Sequence, residues 1–261
     1  MAQTKSTDLI NPEVLEDAIS GQLESKIRFA PYARIDSTLE AQPGDTITRP
    51  RYAYVGAAED LEEGVPMDPA ALSMTTTQVT VKEAGKAVEV TEKAIITNLD
   101  GTMEEAGNQI TLSIADKLEI DYLASLASTQ QTFNGEATTA QNIIDAIDVF
   151  GDEDDGNYVL FLNPSDYTAL SKSLIEGNTF LSRAQIAELV GVQDIVKTNR
   201  LAVGTSYIQK QGAVEIVYKK RPSVNEDHDI LARTHVLAGN QYYTTNLFNE
   251  SGVVKLEASA A

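Results

Sequence analysis

The segment from Ser37 to Lys82 carries too few apolar residues to form a hydrophobic core of its own. Two parts of it, Thr46–Tyr54 and Met74–Lys82, are rich in Thr, Val, Ile and Tyr, which favour extended structure. Between them lie Gly, Pro and acidic residues, which predict a loop. We therefore predict a long hairpin. Because an isolated two-stranded hairpin is only marginally stable in water, we expect it to rest on another copy of the chain.

A long amphipathic helix is predicted from Thr102 to Ser128. Thr102 and Glu105 have the spacing of a capping box, which marks the start of a helix. Apolar residues then recur at every fourth position, namely Ala106, Ile110, Ile114, Leu118, Tyr122 and Leu126. This pattern is typical of a helix packed on a sheet, and it requires no cofactor site to explain it.

The remaining elements are shorter and mix helices with strands. Asn11-Pro12-Glu13 predicts the start of an N-terminal helix, and extended chain follows from Ile27 to Ile35. Strands are predicted at Lys86–Thr91, Tyr158–Leu162, Ile195–Val196, Tyr207–Ile208, Val214–Tyr218 and Val253–Leu256, short helices at Ile143–Ile147 and Tyr167–Leu174, and a long bent strand at Ile230–Phe248. Because there is no regular alternation of strand and helix, we predict an α+β fold.

Composition excludes several classes of function. The 261-residue chain has a formal charge of −19, which argues against specific binding to nucleic acids or to anionic membranes. It has no cysteine, so disulfides, thiolate metal sites and thiol nucleophiles are excluded. Its apolar runs are too short to cross a bilayer, and we expect neither a secretory signal nor a lipid anchor.

Candidate catalytic and metal-binding residues are few. His228 and His235 are seven positions apart, which on one strand places them on opposite faces and makes a shared metal ion improbable. The acidic turn from Gly151 to Gly156 fails as a calcium loop because Leu162 stands where the bidentate Glu belongs, although weak divalent binding at Asp152–Asp155 stays open. No phosphate loop, nucleophile elbow or triad spacing is present. We predict no catalytic site, cofactor or metal centre.

Five stretches, taken in order, resemble the major capsid proteins of tailed bacteriophages, which have the Hong Kong 97-like fold. The stretches are Thr7–Glu13, Gln42–Ile47, Ser113–Leu123, Leu162–Leu170 and Gly204–Val214. The resemblance implies an N-terminal arm (1–36), an E-loop hairpin (37–82), a peripheral domain with a long spine helix (83–135), an axial domain (136–212) and peripheral return strands (213–261).

The resemblance implies a shell protein of the virion. Such a chain assembles with itself into hexamers and pentamers and encloses double-stranded DNA without binding it specifically; before assembly it lies in the host cytoplasm. Some relatives link subunits covalently through an E-loop lysine, but no lysine lies between Ile27 and Val81, so we expect no such link. The arm is too short for a cleaved scaffolding segment, which implies a separate scaffolding protein, together with a portal.

Contacts between subunits are expected at the hairpin and its loop. The candidate residues are Arg49, Arg51, Tyr52, Glu59, Asp60, Glu62 and Glu63. The two arginines either meet an acidic strip on a neighbour or remain solvated, since exposed ion pairs contribute only about 0–1 kcal/mol. Two alternatives stay open at this point: an encapsulin-type nanocompartment shell, and an acidic α+β hydrolase that uses a pair of carboxylates.

Overall fold

The computed structural model describes residues 27–40, 42–52, 55–58, 60, 69–97, 102–152, 156–174 and 181–258. The N-terminal helix predicted from Asn11 lies outside these ranges. The helices are α1 (Glu92–Thr97), α2 (Thr102–Leu126), α3 (Ala140–Asp148), α4 (Pro164–Leu174) and α5 (Arg183–Leu189). The strands are β1 (Arg34–Asp36), β2 (Thr46–Tyr52), β3 (Met74–Thr80), β4 (Lys82–Thr91), β5 (Thr132–Asn134), β6 (Tyr158–Leu162), β7 (Asp194–Lys197), β8 (Thr205–Lys210), β9 (Val214–Asp229), β10 (Thr234–Leu247) and β11 (Val253–Glu257).

The strands of the described ranges form three sheets. One has four strands in the order β1-β9-β10-β4, and another has five in the order β5-β11-β8-β6-β7. The predicted hairpin is the third sheet, in which β2 pairs only with β3. Helices and mostly antiparallel strands alternate irregularly, so the prediction of an α+β fold is confirmed. No helix in these ranges combines the length and the apolar character needed to cross a bilayer.

The predicted long helix is confirmed as α2, which packs on the four-stranded sheet. All six residues of its predicted apolar stripe are buried. Across the interface they contact a core that includes Val90, Val224 and Leu237. Helix and sheet approach closely at Gly239, where an added Cβ would lie 2.4 Å from Cγ2 of Ile110. Only glycine allows this close approach without displacing the helix.

The segment before β1 is more compact than predicted. A 3-10 turn at Ala30–Tyr32 interrupts the expected extended chain. Phe29, which precedes this turn, is fully buried, and its ring centroid lies 5.4 Å from that of Tyr122 and 5.3 Å from that of Phe161. This segment is therefore held in the core by aromatic contacts that its sequence pattern did not predict.

A second core lies between the five-stranded sheet and helices α3 to α5. Every residue of β6 is buried, which confirms the strand predicted from its continuous apolar run. Leu160 and Leu162 face this core together with Ile143 of α3 and Leu170 of α4. The predicted short helices are confirmed as α3 and α4, although each begins three residues earlier than expected.

The region predicted as one bent strand from Ile230 to Phe248 contains a chain reversal. β9 continues to Asp229, residues 230–233 form a turn, and β10 returns antiparallel from Thr234. Arg233 in this turn has a φ of 55°, in the left-handed region. Placing His228 and His235 on opposite faces of one strand was therefore wrong, since they are directly opposed partners on adjacent strands.

Candidate functional site: the hairpin and its buried carboxylates

The hairpin formed by β2 and β3 has almost no buried side chains of its own. Its register runs from the pair Thr46 and Thr80 to the pair Tyr52 and Met74. Along β3 only Val79 is buried. Four apolar side chains of its outer half are at least half exposed, namely Tyr52 (59%), Val55 (53%), Leu72 (64%) and Met74 (51%). The described part of the hairpin therefore lacks a core, as predicted.

The base of the hairpin is nevertheless fixed to its own subunit by Arg49. This guanidinium donates hydrogen bonds from Nε and Nη2 to the Glu215 carboxylate at 3.1 and 2.8 Å, and it also pairs with Asp36. The side chain of Glu215 on β9 is fully buried, whereas 23% of the Arg49 side chain is exposed. A buried carboxylate requires such a partner, because an unpaired charge away from water is very unfavourable.

The two carboxyl groups facing Arg49 have opposite pKa shifts. Burial raises the pKa of Glu215, and the attraction of Arg49 offsets only part of that effect. Burial also acts to raise the pKa of Asp36, but hydrogen bonds from Thr38 and Arg49 outweigh it and lower that pKa to about 2. Asp36 therefore holds its negative charge firmly, and it balances Arg49 together with Glu215.

Further polar contacts hold the segment that leads into the hairpin against β9. The Lys219 ammonium donates to the carbonyl of Gly44, and Nε of Arg221 lies 3.2 Å from Oε1 of Glu40. Gly44 has a φ of 103°, a backbone conformation that residues other than glycine rarely adopt. The described residues of this segment are thus held against β9 of their own subunit.

The exit of the hairpin is fixed to the long helix by Asp121. Nζ of Lys82, the first residue of β4, lies 2.7 Å from Oδ2 of Asp121, and Nζ of Lys117 lies 2.9 Å from Oδ1. The hydroxyl of Tyr243 donates to the same carboxylate at 2.5 Å. Burial acts to raise the pKa of Asp121, but the hydrogen bonds from Lys82 and Tyr243 dominate and lower it. Both ends of the hairpin are therefore anchored through buried carboxylates.

A third carboxylate, Glu119 on the same helix, anchors the N-terminal segment. Its Oε1 accepts a hydrogen bond from the backbone N–H of Arg28 at 2.9 Å. Its Oε2 lies 2.5 Å from Nη1 of Arg200, which follows β7. The side chain of Glu119 is 4% exposed, whereas that of Arg200 is 30% exposed, so the carboxylate is the shielded partner of the pair. α2 thus holds both the N-terminal segment and the hairpin exit.

The predicted contact residues occupy different places. Arg49 forms ion pairs within its own chain. Arg51 lies in β2, but its side chain is not among the described parts of the structure. Tyr52 and Asp60 are exposed. Glu59, Glu62 and Glu63 lie outside the described residues. Contacts between subunits therefore stay a prediction. Asp36 and Glu215 were not among the predicted residues, although Glu215 stands out in the sequence as a single acid within the apolar run of β9.

The acidic turn considered for divalent cations is only partly described. Asp152 accepts hydrogen bonds from Nζ of Lys210 and from the hydroxyl of Tyr158, both at 2.6 Å. These hydrogen bonds lower its pKa. Residues 153–155 lie outside the description, so weak cation binding at this turn stays a prediction.

Comparison with solved structures identifies the class of fold. The chain resembles the asymmetric unit of the bacteriophage PhiM1 mature capsid with a TM-score of 0.69 at 13% identity, over 100% of this chain and 91% of that chain. It resembles the capsid structure of the Cyanophage P-SCSP1u with a TM-score of 0.70 at 12% identity, over 89% of this chain and 88% of that chain. These likenesses confirm the predicted Hong Kong 97-like fold.

Comparison of sequences identifies the family. The family model for phage capsid proteins matches residues 74–256. The major capsid protein of Staphylococcus phage phiMR11 is 32% identical over 97% of this chain and 95% of that protein. The chain belongs to the phage capsid protein family. Its predicted role as a major capsid protein, a self-assembling structural component of the virion, is confirmed over the alternatives.

Proposed function

We propose that this chain forms the hexamers and pentamers of an icosahedral shell that encloses a double-stranded DNA genome. The observation that carries the proposal is the hairpin, which is anchored at both ends and has exposed apolar side chains at the described residues of its outer half. Its exposed apolar side chains, including Tyr52 and Met74, belong to neither core. Several exposed apolar side chains on one element support a protein–protein contact.

The shell would be held together by many modest contacts. Each subunit would receive the hairpin of one neighbour and extend its own onto another. A weak single contact lets an incorrectly placed subunit leave, whereas a closed shell gains stability from all its contacts together. Anchoring at Arg49 and Asp121 supports this mechanism, because an element that is held in position before association loses less freedom on binding.

The domain assignments implied by the resemblance form part of the proposal. Residues 37–82 would be the E-loop, and the four-stranded sheet with α2 would form the peripheral domain in 83–135 and 213–261. The second core would correspond to the axial domain in 136–212, with residues 1–36 as the N-terminal arm. Most residues of the second core lie within 136–212, with Val254 and Leu256 added from β11, and this supports the division.

The proposed partners follow from charge and from the family. With a net charge of −19, the shell would enclose DNA without binding it specifically, since like charges repel. A separate scaffolding protein and a portal would take part in assembly, which would begin in the host cytoplasm. The proposed contact residues are those predicted from the sequence, with Arg51, Tyr52 and Asp60 inside the described ranges. Arg49 belongs to the same proposal, although within this subunit it is paired with Asp36 and Glu215.

Two variants test the role of the hairpin in closing shells. One deletes Glu59–Met67, and the other combines Tyr52→Ser with Met74→Ser. We expect both to give folded subunits that sediment slowly and form no closed particles in negative-stain micrographs. The matched control is Val203→Ser, which removes an apolar side chain with 67% exposure from the loop before β8 and should still assemble.

Intact particles from either hairpin variant would contradict the proposed role. A second measurement concerns the contents of the wild-type shell. Nuclease treatment of particles purified from infected cells should leave genome-length DNA protected. Particles that instead contain a co-purifying enzyme and no protected DNA would refute the proposed cargo.

A further inference from the structure

Two histidines meet near the tip of the β9–β10 hairpin. His228 and His235 are directly opposed in the antiparallel register. Their rings are stacked, with centroids 4.4 Å apart and an angle of 28° between the ring planes. Both side chains are partly exposed, at 37% and 27%. Directly opposed residues on adjacent strands lie on the same face of the sheet, so both imidazoles are available to a common ligand.

Glu92, the first residue of α1, completes a group of three potential metal ligands. Its Oε1 lies 3.0 Å from Nε2 of His228. One ligand atom from each of Glu92, His228 and His235 can be chosen so that all three lie within 4.8 Å of one another. The backbone holds this arrangement in place, because the N–H of Glu92 donates to the carbonyl of Arg233 at 3.0 Å.

Glu226 supports the same arrangement from outside the group. Its Oε1 lies 3.0 Å from Nδ1 of His235. When Nδ1 carries the proton and donates it to this carboxylate, Nε2 keeps its lone pair for a metal ion. Histidine ligands in metalloproteins are commonly oriented in this way by a carboxylate on the second ring nitrogen.

We propose that Glu92, His228 and His235 bind a divalent transition-metal ion of the zinc class. Imidazole nitrogen favours Zn²⁺, Co²⁺ and Ni²⁺ over Mg²⁺ and Ca²⁺, which favour oxygen. Ligand distances of about 2.0–2.1 Å from zinc place tetrahedral ligand atoms about 3.3 Å apart, so small side-chain shifts suffice. Three protein ligands leave one position for water. The site is independent of the proposed role of the β2–β3 hairpin.

Bound metal would tie α1 to the turn that joins β9 and β10. This turn carries two of the most exposed apolar side chains in the described ranges, Ile230 (77%) and Leu231 (96%). Ligands from three separate elements would restrict the motion of the turn relative to the helix. The amides of residues 230–233 should then exchange hydrogen more slowly when metal is added.

The test uses the full chain without a polyhistidine tag, stripped with EDTA and returned to metal-free buffer. After addition of one equivalent of Zn²⁺ and gel filtration, elemental analysis should find one zinc per chain. Co²⁺ in place of Zn²⁺ should produce the intense visible absorption of a tetrahedral site. The double variant His228→Ala/His235→Ala should retain no zinc, and Glu226→Gln should lower the affinity about 10–100-fold.

Glu89→Gln is the matched control, because it removes an exposed carboxylate from β4 only three residues before Glu92. This variant should bind like the wild type. Retention of zinc by the double histidine variant at the wild-type level would overturn the proposal, as would a wild-type chain that retains none. Should the double variant fail to fold by circular dichroism, Glu92→Gln replaces it, and undiminished zinc retention in that variant would likewise overturn the proposal.

Discussion

Arg49 donates two hydrogen bonds to the buried carboxylate of Glu215, which lies 166 residues further along the chain. This contact joins the base of an exposed hairpin to a central strand of the four-stranded sheet. A buried acid on that strand is tolerated because the hairpin supplies its counter-charge. The subunit therefore holds the hairpin in position before any neighbour arrives.

Arg49→Met should destabilise the subunit by about 3 kcal/mol, because it leaves Glu215 buried without its main partner. Arg34 lies 3.7 Å from the same carboxylate and would compensate only in part. Urea unfolding of unassembled subunits measures the change. Arg34→Met is the control and should cost at most about 1 kcal/mol, since half of that side chain is exposed. Equal losses in the two variants would show that Arg49 is not the principal partner.

The stabilising contribution of Asp36 should be lost at low pH. Its pKa in the folded chain is about 2, below the ordinary value of 3.8, so its ionised form favours folding. That contribution is complete above about pH 5 and is lost as the pH falls from about 4 to 2. Glu215, with a raised pKa, has the opposite sign, and the charge of Asp36 is one cause of that raised pKa. The difference between wild type and Asp36→Asn therefore reports the contribution of Asp36 together with its effect on Glu215. The gap between the unfolding free energies of the two proteins should narrow steadily as the pH falls from about 5 to 2.5.

Glu188→Gln is the control for that pH series, because it removes one exposed carboxylate from α5. Its unfolding free energy should stay parallel to that of the wild type across the pH range. A gap between Asp36→Asn and wild type that persists unchanged at pH 2.5 would contradict the assignment to Asp36.

Gly239→Ala should destabilise the contact between β10 and α2. The added Cβ would lie 2.4 Å from Cγ2 of Ile110 and 3.2 Å from Cδ1 of Ile114, which forces helix and sheet apart. Overpacking of this kind typically costs about 1–3 kcal/mol. Thermal unfolding of the variant gives the measurement.

The control for this clash is the double variant Gly239→Ala/Ile110→Ala. Ile110→Ala alone should cost about 2–5 kcal/mol through the cavity it leaves. In the double variant the new methyl group occupies part of that cavity. The loss of unfolding free energy in the double variant should therefore be smaller than the sum of the losses in the two single variants. Full additivity would show that the two positions do not compete for the same space.

Phe29→Ala should cost about 3–5 kcal/mol, because the ring is fully buried between Tyr122 and Phe161. The control is Tyr32→Phe, which keeps the ring and removes only the hydrogen bond from the hydroxyl to Oδ2 of Asp194 at 2.5 Å. That change should cost about 1 kcal/mol. Chemical unfolding of both variants decides whether this segment belongs to the core, since a small loss for Phe29→Ala would place it outside.

Elements with a strong local pattern were predictable. The stripe of α2 repeats every fourth residue over its whole length, and β6 is an uninterrupted apolar run. Both patterns depend only on neighbours in sequence. The turn at 230–233 was missed because it contains neither Gly nor Pro and because Arg233 adopts a conformation usually taken by Gly or Asn.

The class of fold, the long helix, the hairpin without a core and the absence of cysteine chemistry could all be inferred from the amino-acid sequence. These features follow from local periodicity and composition. Three contacts became visible only in the folded chain: Glu215 pairs with Arg49, Asp121 pairs with Lys82 and accepts a hydrogen bond from Tyr243, and the two histidines oppose each other. Each of these contacts joins residues that the chain brings together by strand pairing or helix packing, and no local pattern encodes such a long-range partner.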